Sequence, residues 1–293
     1  MWGKMINFAA RTTDFTDFTD EFPLETSRIM QKRHQDRQQY FNELANTARN
    51  YYIDYLKPYQ LLPPGTRVLE IGCGEGGNLL PFAEAGCQVK GIDLSETRIR
   101  QARQFFDAAG QQGTFACENF ITADKPATEE ERYDLLLIHD VIEHIEAPYK
   151  HDFVSHLLPF LKRDGIIFVG FPAWQMPFGG HQQIGTGWVS KLPFVHLLPM
   201  GLYTRVLTWS GQRDCDIREL QSIKRSAMTI EHFEQLCHDT GLTIVKRTLW
   251  FINPHYEQKF QLKPRRLYKV LGRIPYLRNF CTTSAFYLLK AQQ

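Results

Sequence analysis

Apolar and polar positions change period many times along this chain. Short apolar runs at Arg67–Ile71, Gln88–Ile92, Thr114–Cys117, Tyr133–Ile138 and Ile166–Phe171 have the length of strands. Between them lie stretches of helical period, Asn78–Ala85, Glu96–Ala109 and Ala147–Leu161. Gly86, Gly110 and Gly165 follow their ends, and Ser95 is placed as an N-cap. Strand and helix in strict alternation predict an α/β fold, a doubly wound, mostly parallel sheet with helices on both faces.

The flanks read differently. Residues 1–25 repeat Asp, Thr and Phe without a clean period and predict a loosely ordered lead-in. From Thr26 to Leu56 the pattern is helical, with Tyr40, Phe41, Leu44, Ala48, Tyr51, Tyr52 and Tyr55 on one face, and Pro58, Pro63, Pro64 and Gly65 stop it. From Pro172 to about Ser226 the rhythm breaks in a stretch rich in Gly, Pro, Trp and His that includes the apolar piece Trp188–Leu202. A helix over Ala227–Thr240, a strand over Leu242–Ile252, a basic stretch Lys259–Arg278 and a last strand Thr282–Leu289 close the chain. The expected division is a helical N-terminal extension over 1–60 and one large domain over 61–293, carrying an insertion at 172–226.

Composition narrows this picture only slightly. A chain of 293 residues, 43% hydrophobic and 23% charged, has the make-up of a soluble globular protein. Its formal net charge of +2 is too mild to argue for nucleic acid, which is not expected as a partner. Six scattered cysteines form no C-x-x-C pair, which speaks against a cysteine zinc site and for reduced thiols. The first residues lack the apolar core of a signal peptide, and no apolar stretch reaches bilayer-spanning length, so a cytoplasmic protein without a membrane span is expected. Oligomeric state is not legible.

Candidate chemistry concentrates in Val68-Leu69-Glu70-Ile71-Gly72-Cys73-Gly74-Glu75-Gly76-Gly77. A strand must turn sharply into a helix here, and glycine lets a ligand approach the backbone. Asp93 follows Gly72 by 21 positions, at the end of the next strand, where a carboxylate can accept from two ribose hydroxyls. Gly72, Gly74 and Gly77 also satisfy G-x-G-x-x-G, so the spacing alone does not separate a dinucleotide from an adenosylmethionine. Glu70 tips the balance: its carboxylate suits the cationic amino end of a methionine moiety and would repel a pyrophosphate.

Three segments, Glu70-x-Gly72-x-Gly74-x-Gly76, Gly91-Ile92-Asp93-Leu94-Ser95 and His139-Asp140-Val141-Ile142-Glu143-His144, together resemble the class I S-adenosylmethionine-dependent methyltransferase family, nearest to its small-molecule and quinone-type members. The likeness is good from Arg67 to Phe171 and weaker from Ala227 to Leu289. It implies a seven-stranded sheet whose last strand is antiparallel, with S-adenosylmethionine across the carboxyl ends of the first four strands. By position, Gly72 and Gly74 would contact the methionine portion, with Glu70, Cys73 and Gly76 of the same loop in the cofactor set. Asp93 would take the ribose, and Leu94 the adenine face. Glu118 and Asn119 stand where the family often has an acid for the adenine amino group, although Cys117-Glu118-Asn119-Phe120 departs from the usual Gly-Asp. His139, at the end of the fourth strand, completes the expected set.

Methyl transfer is an in-line displacement activated by the cofactor, so the protein must align the acceptor, exclude water and, where needed, remove a proton. His144 is a candidate base after the fourth strand. His181 is another, in Trp174–His181, where Gly179-Gly180 permits a turn that aims it inward. No metal is expected, although some quinone-biosynthesis relatives that this segment resembles hold a divalent ion with acid, acid and histidine, here Asp140, Glu143 and His144. The Trp- and Phe-bearing insertion points to an apolar or aromatic small-molecule acceptor, methylated at oxygen or nitrogen. Competing readings are an NAD(P)-dependent oxidoreductase on the same turn, for which no persuasive Tyr-x-x-x-Lys is found, and a non-catalytic adenosylmethionine- or RNA-binding module. The basic stretch Lys259–Arg278, interleaved with Phe260, Tyr268 and Tyr276, reads as a solvated face, with RNA phosphates or an anionic lipid surface as the alternatives.

Overall fold

The computed structural model describes residues 36–185 and 188–292. The lead-in expected over residues 1–25 lies outside them. Helix α1 (Arg37–Thr47) runs through a π turn, Ala48–Tyr52, into α2 (Ile53–Leu56). Asp36 caps α1 by accepting from the Gln39 N–H at 2.8 Å. Alternation then proceeds as β1 (Arg67–Ile71), α3 (Leu80–Glu84), β2 (Gln88–Asp93), α4 (Glu96–Ala108), β3 (Thr114–Cys117), β4 (Tyr133–His139), α5 (Lys150–Ser155) and β5 (Leu161–Phe171). Two helices of the inserted stretch follow, α6 (Met200–Trp209) and α7 (Asp214–Arg225). The chain continues with α8 (Ile230–Asp239), β6 (Leu242–Ile252), α9 (His255–Phe260), β7 (Arg265–Arg266), α10 (Lys269–Gly272), α11 (Leu277–Phe280) and β8 (Ser284–Ala291).

All eight strands form one sheet in the order β3-β2-β1-β4-β5-β8-β6-β7. Strands β1 to β5 are mutually parallel, and β8 runs antiparallel to both β5 and β6. A parallel set closed by an antiparallel last strand is as the resemblance implies. The additional strand is β7, a two-residue pairing of Arg265 and Arg266 with the β6 edge, too short to leave an apolar period.

Several expected boundaries shift for local reasons. The helix expected over Ala147–Leu161 is broken into short turns around α5, because Pro148 and Pro159 interrupt it. Strand β5 begins at Leu161, earlier than its apolar run, because Leu161 pairs with Tyr133. The register then slips so that Leu135 meets Ile166.

Two hydrophobic layers sandwich the sheet. One packs Phe153, Val154, Phe233 and Leu236 of α5 and α8 against Leu136, Ile138, Ile167, Val169 and Tyr287. The other packs Phe41, Tyr52, Leu56, Phe82 and Phe106 against Val68, Leu135, Leu137, Phe168 and Phe286. The inserted stretch has a small core of its own, Val189, Tyr203, Leu207, Ile217 and Leu220. Among the described residues no helix is long and apolar enough to cross a membrane.

Candidate active site

The chain turns out of β1 at Gly72 and Gly74, both in the left-handed region with φ of 71° and 52°. A Cβ at Gly74 would meet no atom within 4 Å, so the corner is open on that side. At Gly72 a Cβ would lie 2.5 Å from Val141 Cγ2, so the β4 loop packs directly on the corner. The Gly74 N–H donates to Asp93 Oδ2 and the Ser95 N–H to Oδ1, each at 2.9 Å. Asp93 is therefore aimed at the corner from the neighbouring strand end and held there. Each of its oxygens retains lone-pair directions for further donors.

Glu70 lies beneath the same corner, buried, with Asn78 Nδ2 donating to Oε1 at 2.7 Å and Oε2 without a hydrogen-bond partner. Burial raises its carboxyl to about 8, against the Asn78 hydrogen bond, with Asp93 adding repulsion. A buried carboxylate with an unpaired oxygen is what a cationic amino group would satisfy. These residues fit S-adenosylmethionine: the backbone of Gly72 and Gly74 for the amino-acid portion, Glu70 for its charge and Asp93 for the ribose.

The sign of the Glu70 shift gives a testable result. A folded value near 8 against 4.5 when unfolded means that the native state holds an extra proton between those limits. That contribution to stability is complete below about pH 4.5 and is lost as pH rises through 8. Thermal unfolding of ligand-free protein across that window is expected to decline more steeply for the parent chain than for Glu70→Gln. Equal slopes would remove Glu70 from this role.

The other expected cofactor residues take more specific places. The Cys73 side chain is buried in the layer with Phe115, and its backbone holds the turn together, the N–H donating to the Ile92 carbonyl at 3.0 Å and the carbonyl accepting from the Gly76 N–H at 2.8 Å. Gly76 faces the rings of Phe115 and Phe106, and so serves packing between the turn and the sheet. Glu118 pairs with Lys90 at 2.9 Å, and Asn119 accepts from the Ile121 N–H at 3.0 Å. Leu94 is half-buried next to Asp93.

His139 faces the N-terminal helix. Its Nε2 lies 2.8 Å from the Tyr52 hydroxyl, and its Nδ1 lies 3.3 Å from Asp140 Oδ2. One tautomer satisfies both, with Nδ1–H toward the carboxylate and the hydroxyl donating to Nε2. Tyr52 stands in the π turn, a feature often found at functional sites.

Asp140 itself adopts φ 55°, uncommon outside glycine, and half of its side chain is open (51%). Burial would raise its carboxyl, but the charge and hydrogen bond of His139, with His255 and His181 behind, outweigh it and hold the group low. Burial raises the hydroxyls of Tyr40 on α1 and Tyr256 on α9, and the nearby Asp140 charge adds to both, so the two side chains stand close to this carboxylate. His255 Nδ1 lies 3.1 Å from Thr47 Oγ1, closing α9 onto α1.

His144 and His181, 37 positions apart in sequence, meet with ring centroids 5.2 Å apart. Burial lowers both; His144 falls to about 3, with His181 adding to the effect. Both are thus neutral near pH 7. The left-handed turn falls on His181 itself (φ 53°), and Gly179 and Gly180 are not in that region. Gly180 serves close approach instead, since a Cβ there would collide with the His196 side chain. His196 Nε2 in turn donates to the Trp174 carbonyl at 2.7 Å, and Gln182 Nε2 donates to the Leu192 carbonyl at 2.9 Å. This knitting fixes the loop that presents His181.

In the sequence, Glu143 reads only as one of three alternative metal ligands. It is buried, neither of its carboxylate oxygens has a hydrogen-bond partner, and burial and Asp140 push its carboxyl well up. Glu143, His144 and His181 each offer a ligand atom, all within 4.8 Å of one another. The triad suggested by sequence included Asp140; the structure substitutes His181 for it. Lys150, also buried, donates to the carbonyls of Ile142 and Ser226 at 2.6 and 2.7 Å, tying this turn to the end of α7.

Comparison with known proteins agrees with this geometry. A family described as a methyltransferase domain matches residues 69–167. A ubiquinone biosynthesis O-methyltransferase of Bartonella tribocorum is 27% identical over 196 residues, covering 58% of this chain and 77% of that protein. One of Glaesserella parasuis is 26% identical over 212 residues, covering 61% and 83%. The crystal structure of an S-adenosylmethionine-dependent methyltransferase from Clostridium acetobutylicum shares the fold with a TM-score of 0.55 at 11% identity, over 85% of this chain and 92% of that one. The chain is thus an S-adenosylmethionine-dependent methyltransferase built on a doubly wound, mostly parallel sheet.

Proposed function

We propose that the acceptor is a small apolar or aromatic molecule bearing a hydroxyl group, and that it is methylated at oxygen. The observation that carries this reading is the convergence of two neutral histidines, His144 and His181, with Asp140 beside the glycine corner. A neutral imidazole can take the hydroxyl proton as the oxygen attacks the methyl carbon. The bound cofactor supplies the activated methyl group. The chain's own residues orient the acceptor and receive its proton. In this reading Tyr40 and His255, whose ring centroids lie 6.2 Å apart, and Tyr256, which feels the Asp140 charge, offer the acceptor aromatic contacts. The relatives' names, both O-methyltransferases, favour oxygen over nitrogen.

In the same reading, residues 172–226 are an insertion that builds the acceptor side of one domain spanning 61–293, and residues 1–60 are an N-terminal extension whose described part packs Phe41, Tyr52 and Leu56 on that domain. The six cysteines, none of them in a disulfide, support a reducing, cytoplasmic setting. A second reading rests on Glu143. A buried acid with two unpartnered oxygens next to two neutral histidines suits a divalent cation, which would orient and acidify the acceptor hydroxyl.

Calorimetric titration with S-adenosylmethionine and NAD, followed by mass spectrometry of phenolic and amine acceptors, tests the proposal. Tight binding of the sulfonium and a gain of one methyl on phenols are expected. Methylation of amines alone would overturn the oxygen assignment.

A further inference from the structure

We propose that the segment from Gln261 to Phe280 is an interfacial surface that seats the enzyme on an anionic lipid bilayer. From Gln258 to the last residue the chain contains no Asp or Glu, while Lys263, Arg265, Arg266, Lys269 and Arg273 are all exposed. Among these bases stand large side chains that water should disfavour: Tyr268 is 78% exposed, Val270 72% and Tyr276 68%, with Ile274, Leu277 and Phe280 also open. Cations interleaved with exposed aromatic and aliphatic groups are the composition of interface-seated elements. The bases meet lipid phosphates, and the apolar tips enter the headgroup boundary.

The local structure holds these groups out instead of burying them. Leu267 is the buried anchor, its N–H donating to the Leu249 carbonyl at 2.8 Å, so the residues on either side project from the sheet edge. Tyr276 adopts φ 63°, a strained conformation for a tyrosine. It is fixed there because its N–H donates to Glu231 Oε1 at 2.8 Å, an oxygen that also accepts from Arg278 Nε at 2.8 Å. Phe194, from the inserted stretch, repeats the device: it is exposed, has φ 65°, and lies 6.3 Å from Phe280 between ring centroids. Two strained, presented aromatics from distant parts of the chain thus extend one patch.

RNA would also meet the bases, but the aliphatic tips of Val270, Ile274 and Leu277 have no role on a polyanion, and a bilayer uses both kinds of group. Helix α9, which carries His255 and Tyr256 near Asp140, leads along the chain into Leu262 and Lys263 of this surface. The docking itself does not depend on which acceptor is methylated.

Sedimentation of the full chain with phosphatidylcholine vesicles, alone or mixed with phosphatidylglycerol, tests the proposal. Binding to the anionic vesicles only, weakening as salt is raised, is expected. Lys269→Glu with Arg273→Glu should reduce partitioning by roughly tenfold or more, and Tyr268→Ser with Val270→Ser should also reduce it, while affinity for S-adenosylhomocysteine stays at the parent value. Parent protein that remains in the supernatant with anionic vesicles, or that retains single-stranded RNA but no vesicle, would overturn the assignment irrespective of how the variants fold.

Discussion

Asp93→Ala is expected to weaken S-adenosylmethionine binding by roughly a hundredfold, corresponding to about 3 kcal/mol. Two losses combine. The ribose hydroxyls lose a charged acceptor, and hydrogen bonds to charged groups are the stronger kind. The Gly74 and Ser95 N–H groups, each donating to this carboxylate at 2.9 Å, are also left without their partner. The glycine corner then loses the bond that fixes its shape, and α4 loses a contact at its N-terminus. Asp93→Asn is expected to fall nearly as far, because an amide nitrogen in either position would face a donor with a donor. Calorimetry on both variants, with thermal unfolding as a check on folding, measures this. A dissociation constant within threefold of the parent would mean that the ribose is held elsewhere.

The part of the molecule that was legible in sequence is the part whose physics is local. Strands β1, β4 and β5 are buried on both faces, so they appear as unbroken apolar runs. A corner that demands positive φ shows itself as glycine. Asp93 was legible because register places it beside that corner: Ile71 pairs with Ile92, one residue before it. The contacts that escaped are long-range. Tyr52 meets His139 across 87 positions, and nothing in the tyrosine stripe distinguishes a ring that packs from a hydroxyl that also bonds a histidine. Glu143 was read as an alternative ligand only. Its burial without partners depends on α5 and on the loop after β5 folding over it. The turn that aims His181 was assigned to Gly179-Gly180 because glycine is the usual carrier of positive φ. In the structure a non-glycine residue takes that strain, which is itself a sign of function. The basic stretch was read as a solvated face because the net charge is small. A net charge averages over the surface, however, and it conceals that the last part of the chain contains no acid.

His181→Ala is expected to lower turnover by about 10²- to 10⁴-fold, the usual range for loss of a positioned base, with S-adenosylmethionine affinity close to the parent value. His144→Ala should fall within the same range, since its ring lies 5.2 Å from that of His181 and a cavity would let His181 swing. The pH profile carries the more specific sign. Burial holds both imidazoles below their ordinary value, so the neutral, proton-accepting form persists as pH falls through 6.5. Turnover limited by these groups should therefore stay flat through that range and decline only at lower pH, whereas an exposed histidine base would lose half its activity near 6.5. The cation reading separates cleanly from the base reading in the same assay. If Glu143, His144 and His181 hold a divalent ion, chelation of the parent enzyme should reproduce the His181→Ala loss, and Glu143→Gln should weaken metal retention. If His181 acts directly on the acceptor, chelation should leave turnover unchanged while the histidine variants still fail. Parent-level turnover in His181→Ala and His144→Ala together would exclude both roles, leaving Asp140, half open and held ionised by His139, as the remaining candidate to receive the proton.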